Sequence, residues 1–349
     1  MNGYPWGEPQ NMGWQQSPYP PQVPYWETPQ WKEKKSIRHI SNVMGWSTFA
    51  VLALMVGFSV LFVNLLRFIG YPFNINYMSS GGMSAAMYYL LNCVVYIFSV
   101  AIPFMLCVAF MRLSVNEVFR FDKVGAGTAI LFVLFGVGFC MFTNIPSNII
   151  AILIEESGLN GTMPEPVSAD TPLAIILSVV QVSIIPALVE ELAFRGVILS
   201  QLRKFGDGFA VFGSALLFAF YHGNVLQLTF TFFVGLVLGF IMIRTNNLWV
   251  PIVIHALNNG ISVFFSLIQS YVSEDTYLFI NGNIFFGLIL VGFIAFLLLY
   301  IFKREYFRRS YSGQYSSIFT RIMAFVTNPG FVAFFALFVF SSWANLVAV

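Results

Sequence analysis

An all-α, polytopic transmembrane helix bundle of about eight or nine spans is the fold class this sequence predicts, and three observations predict it. Hydrophobic residues make up 58% of the 349 and charged residues only 9%. Mean hydropathy is +0.78, outside the range of soluble globular domains. Apolar runs long enough to cross a hydrocarbon core, about 20 residues as helix, recur along the chain, and Lys and Arg collect in alternate connections between them.

Nine runs meet or approach the length test, at roughly 43–69, 84–111, 127–153, 172–200, 209–225, 226–243, 248–270, 284–302 and 328–347. The fifth and sixth are short. Four regions follow. Residues 1–42 are expected to be a disordered cytoplasmic tail, rich in Pro, Tyr and Trp (Trp6, Trp14, Trp26, Trp31) and without apolar periodicity. Residues 43–171 read as scaffold helices, 172–270 as the functional core and 271–349 as C-terminal helices. In the third run Pro146 removes a backbone donor, and Asn144, Ser147 and Asn148 stand near to satisfy the freed groups.

Basic residues fill Lys32–Arg38, Arg112–Lys123, Arg203–Lys204, Arg244 and Lys303–Arg321, while 70–83, 154–171 and 271–283 hold no Lys or Arg. The positive-inside rule therefore predicts a multi-pass protein of the cell membrane with a cytoplasmic N-terminus. Nothing resembles a nucleic-acid-binding surface, so the partner expected from composition is the lipid bilayer. Cys93, Cys107 and Cys140 all fall within expected helices and read as small apolar core residues, not as a disulfide framework.

The polar residues inside the spans carry the functional signal. Of fifteen Asp and Glu, only Glu190 and Glu191 lie deep in an expected span; they share it with Arg195, and His222 and His255 lie in two later ones. A charge at bilayer depth costs at least about 2.5–3.5 kcal/mol, which makes each a functional candidate. Glu191 and Arg195 are at i and i+4 and can pair on one face. Glu190 is turned by about 100° around the axis, which leaves it as the carboxylate available for chemistry. At about 1.5 Å per residue the three helices bring Glu190, His222 and His255 to one level. Phe218 shares a face with His222, and Asn259 with His255. A carboxylate and an imidazole that hold water, with a second imidazole and an amide for an oxyanion, suit attack on a peptide carbonyl. Glu190, His222 and His255 could alternatively ligate zinc; the spacing leaves the choice between zinc and a glutamate-activated water open. No HExxH segment, no GxSG segment and no pair of intramembrane aspartates is present.

Glu190-Glu191 with Arg195 resemble an EExxxR motif, Phe218 with His222 FxxxH, and His255 with Asn259 HxxxN, in that order on successive helices. This is similar to the CPBP family of intramembrane proteases, also called the Abi or type II CAAX prenyl endopeptidase family, over roughly 172–270. The resemblance implies a hydrolase acting on a peptide or membrane-protein substrate, in which Glu190 and His222 activate water, His255 and Asn259 form the oxyanion hole, and Glu191, Arg195 and Phe218 support them. The metalloprotease label attached to that family leaves the cofactor open. A non-catalytic membrane protein, such as a bacteriocin-immunity or scaffolding factor, is the alternative. A proton-coupled transporter is disfavoured by the absence of visible duplication.

Overall fold

The computed structural model describes residues 24–74, 80–161, 167–169, 171–308 and 314–348. Its helices are α1 (Pro29–Phe68), α2 (Ala85–Phe110), the single turn α3 (Val115–Val118), α4 (Ala126–Glu156), α5 (Pro172–Phe205), α6 (Asp207–Tyr221), α7 (Val225–Thr245), α8 (Trp249–Gln269), α9 (Glu274–Phe302), α10 (Ile318–Val326) and α11 (Pro329–Ala344). The all-α bundle is as the composition predicts. Two three-residue strands are its one departure among the described residues: β1 (Leu159–Gly161) pairs antiparallel with β2 (Leu346–Ala348).

Seven helices, α1, α2, α4, α5, α7, α8 and α9, are long and apolar enough to cross a membrane, and eight spans result if α10 and α11, bent by 70°, count as one. The fifth run falls short of a span for a local reason. The segment expected as a span over 209–225 stops at Tyr221, because Gly223 takes φ +63 and Asn224 caps α7 by accepting from Leu226 N at 2.9 Å. A left-handed residue followed by an N-cap ends one helix and starts another, so α6 and α7 form a hairpin whose first leg has 15 residues.

The expected tail also needs correcting. Residues 29–42 are helical and continue into the first span. The Thr28 side chain accepts from Trp31 N at 3.3 Å and Pro29 occupies the first turn, a favourable N-terminus. Ile37, Ile40, Ser41 and Met44 are buried against the C-terminal segment. There Glu33 accepts from Ser316 N at 2.7 Å, and Ser41 Oγ donates to Phe325 O at 2.6 Å. Tertiary packing thus orders a stretch whose periodicity was hidden by its charges. Residues 1–23, with Trp6 and Trp14, lie outside the described residues.

Within the bundle α4 packs along α9, α7 and α8, while α2 packs on α1 and α5. Lipid supplies no hydrophobic drive between helices, so close approach depends on small residues. A Cβ on Gly45 would overlap the backbone of Gly330, and one on Gly138 would lie 2.5 Å from Leu288 O and 2.6 Å from Gly292 Cα. Asn144 and Ser147 donate to Cys140, Met141 and Thr143 carbonyls, and α4 stays continuous through Pro146, although none of these bonds reaches the Phe142 carbonyl that the proline frees. The start of α11 is fixed to α1 by Gly330 N on Asn42 Oδ1 at 2.8 Å, and its far end meets β1 beyond α4. α11 therefore runs from the end of the bundle that carries the basic loops to the opposite end. Cys93, Cys107 and Cys140 are buried free thiols.

Gly138→Ala should lower stability by about 1–3 kcal/mol through overpacking, read as a lower thermal midpoint in detergent. Gly127→Ala, where nothing lies within 4 Å, should not lower it; equal destabilisation of both would contradict the packing.

Candidate active site

The site grows from irregularities in α5. Pro186 has no N–H to give the carbonyl four residues back, Val182, and its ring crowds that carbonyl. The helix answers with a π-helical segment over Val180–Ile184, and Asn259 Nδ2 donates to Val182 O at 3.1 Å. A second π segment, Leu192–Ile198, directly follows Glu190 and Glu191. Such widened turns concentrate at functional sites.

Arg195 Nη1 meets Glu191 Oε1 at 2.9 Å with both side chains fully buried, as the i, i+4 spacing predicts. The same Glu191 oxygen also binds His255 Nδ1 at 2.8 Å. A carboxylate accepts only, so Nδ1 carries the proton and His255 presents Nε2, 4.0 Å from Glu190 Oε2. His222 is the C-cap of α6, not an interior residue of a span. Its Nδ1 lies 2.8 Å from Phe218 O, and by the same reasoning donates there and leaves Nε2 free of that bond. Phe218 ties the group together. Its ring packs edge-on against His222 at 4.8 Å, His255 at 5.9 Å and Phe194 at 5.1 Å, and lies 4.3 Å from the Arg195 guanidinium.

Glu190 is divided between two surroundings. Oε1 accepts a very short hydrogen bond from the Tyr96 hydroxyl of α2, which in turn accepts from Tyr221 at 3.0 Å. Oε2 is buried, has no hydrogen-bond partner among the described residues, and faces His255 Nε2. Sequence reasoning missed Tyr96 and Tyr221. Tyr221 stands next to His222, a signal within reach, but Tyr96 lies some ninety residues upstream in an apolar run where only packing of α2 on α5 reveals it.

Glu190, Glu191, Arg195, Phe218 and His255 are thus brought together, and His222 joins through Phe218. Asn259 makes its bonds with Val182 O and with Asn258 Nδ2, and hydrogen-bonds neither Glu190 nor either imidazole. The zinc alternative meets a geometric obstacle. Two ligands of tetrahedral zinc at about 2.0–2.1 Å stand roughly 3.4 Å apart, closer than the 4.0 Å from Glu190 Oε2 to His255 Nε2. Among the described residues no group of three or more His, Cys, Asp or Glu is arranged to hold a metal. Glu190, His222 and His255 as placed do not fit the ion.

Arg195→Met should destabilise the protein by about 3–5 kcal/mol, because it strands the buried Glu191 carboxylate. Asp207→Asn, which breaks the partly exposed pair with Arg203 at 2.9 Å, should cost about 0–1 kcal/mol. Thermal unfolding of the two variants side by side checks the ranking.

Comparison with known proteins follows this geometry. Residues 172–261 match the family described as type II CAAX prenyl endopeptidase Rce1-like. The Bacillus subtilis (strain 168) protein named "Putative membrane peptidase YdiL" is 25% identical over 158 residues, which cover 44% of this chain and 64% of that protein. The Staphylococcus aureus (strain USA300) protein named "Membrane-embedded CAAX protease MroQ" is 36% identical over 95 residues, 25% of this chain and 38% of the relative. The chain spans less than two thirds of the length of either relative. No solved structure gives a significant match. Over residues 172–261, the stretch that holds both glutamates, Arg195, both site histidines and Asn259, the chain is similar to the type II CAAX prenyl endopeptidase Rce1-like family.

Proposed function

We propose that the chain is an intramembrane endopeptidase whose attacking water is activated by Glu190. The observation that carries this reading is the division of Glu190: one oxygen is fixed by Tyr96, and the other is buried, unpartnered and aimed at His255 Nε2. The 4.0 Å separation is too long for a direct hydrogen bond, and a water hydrogen-bonded to both atoms spans it. Glu190 Oε2 takes a proton from that water as its oxygen attacks the scissile carbonyl carbon. The carbonyl oxygen becomes an oxyanion, and the proton on Glu190 passes to the departing amine as the C–N bond breaks.

His222 and His255 share the polar work around this step. With Nδ1 anchored on Phe218 O, His222 offers Nε2 to steady the water. His255, anchored on Glu191, donates from Nε2 to the oxyanion when a proton is present there. Asn259 keeps one amide N–H beyond the one on Val182, and this second N–H serves the same oxyanion. Glu191, Arg195 and Phe218 position the others. The substrate is a peptide segment reached from the bilayer, since the acid, both imidazoles and the tyrosines lie among helices of spanning length. The mechanism needs no metal ligand set, in keeping with the donor geometry.

Glu190→Gln and His222→Ala, offered a peptide library in liposomes beside the wild type, should each lose at least about 100-fold in cleavage rate, the scale of general acid–base catalysis. Cleavage absent in all three, or equal in all three, refutes the peptidase and favours a scaffolding role. Activity retained in pure protein with no bound metal and under chelation is expected; loss with chelator and rescue by zinc would overturn the metal-free mechanism. Tyr96→Phe should lower kcat by roughly tenfold, the equivalent of about 1.5 kcal/mol for a lost bond to a charged group, with the fold intact by thermal melt.

A further inference from the structure

At the basic-loop end of the bundle lies a cavity of about 320 Å³, within the size range of ligand pockets. Its polar lining includes Glu117, Arg120, Arg195, Arg203, Lys204 and Asn246, four cations against one carboxylate. Arg203 is held by Asp207 and Arg195 by Glu191. Among the described residues Arg120 and Lys204 have neutral partners only: Arg120 donates to Glu117 O at 3.2 Å and Asn246 Oδ1 at 3.5 Å, and Lys204 to Gln201 Oε1 at 2.7 Å. Arg195, with no exposed surface and its guanidinium turned to Glu191 and the Phe218 ring, closes the inner wall and presents no accessible atom to the cavity.

The level of the cavity indicates what reaches it. Leu248 N donates to Arg120 O at 2.9 Å, and beside this junction the half-exposed Trp249 packs on Phe121 with ring centroids 5.6 Å apart. Exposed tryptophan at the end of a spanning helix marks the headgroup layer. Guanidinium groups match phosphate oxygens in geometry and charge. We propose that this cavity binds a phosphate-class oxyanion, supplied by the headgroup of an anionic phospholipid, with Arg120 and Lys204 as its cationic ligands. The site is separate from the peptidase reading, since its occupancy is measured by binding.

The test uses the full chain in neutral detergent. Thermal midpoints are followed against dihexanoyl phosphatidylglycerol, inorganic phosphate and, as zwitterionic control, dihexanoyl phosphatidylcholine. The anionic lipid should raise the midpoint saturably. In the Arg120→Gln/Lys204→Gln double variant its half-effect concentration should rise at least about tenfold, as expected for lost charge-assisted bonds. A response to phosphate without one to the lipid would keep the oxyanion site but assign it to a soluble anion. An equal response to phosphatidylcholine, an unchanged double variant, or no response to either anion overturns the site. If the double variant does not fold, Lys204→Gln with Arg120→Lys, which keeps the charge at 120, carries the same comparison.

Discussion

The buried contact among Arg195, Glu191 and His255 is the constraint on which the rest of this structure depends. A charged pair with no exposed surface repays its desolvation only when geometry is good and remaining groups are satisfied. Here one Glu191 oxygen serves two donors, from α5 and from α8, while its second oxygen and Arg195 Nε stay buried without a hydrogen-bond partner among the described residues, so the junction meets that condition only in part. Arg195 Nη2 also reaches Gly235 O of α7 at 3.4 Å, and the Phe218 ring of α6 covers the guanidinium. Four helices are joined at one place in a setting where apolar packing gives little specificity. Moving any one of them would leave a charge stranded.

That junction also decides the roles of the two adjacent glutamates. Glu191 points to Arg195 and His255 and is consumed by structure. Glu190, turned around the same helix, meets Tyr96 on one oxygen and keeps the other unpartnered. The same sequence dipeptide thus yields an anchor and a reactive group. His255 links the two, since its Nδ1 is fixed by the anchor and its Nε2 faces the reactive oxygen. Positioning of this kind, one ring nitrogen held so that the other is presented, is a standard means of fixing an imidazole.

Backbone departures play a matching part. Pro186 frees the Val182 carbonyl, and Asn259 takes it, so α8 is pinned to α5 one turn beyond His255. Gly223 turns the chain from α6 into α7 directly after His222, and a side chain there would meet Ser341 of α11. The C-terminal helix, though outside the matched family segment, therefore backs the turn that carries a site histidine. Phe220 stacks on Phe338 at 4.7 Å on the same side.

The sequence by itself determined the all-helical membrane class, most helix positions and the acidic, basic and histidine members of the polar cluster. Those follow from local quantities: apolar run length, the cost of intramembrane charge and the i, i+4 spacing of Glu191 and Arg195. Tertiary structure alone decided that residues 29–42 join α1, since Glu33 and Ser41 find their partners nearly three hundred residues away. It decided that the fifth run is a hairpin leg and that Asn259 binds a backbone carbonyl. It also brought Tyr96 to Glu190 across ninety-four positions. Such contacts depend on how helices rotate and approach, and a tyrosine in an apolar run carries no mark of the carboxylate it will meet.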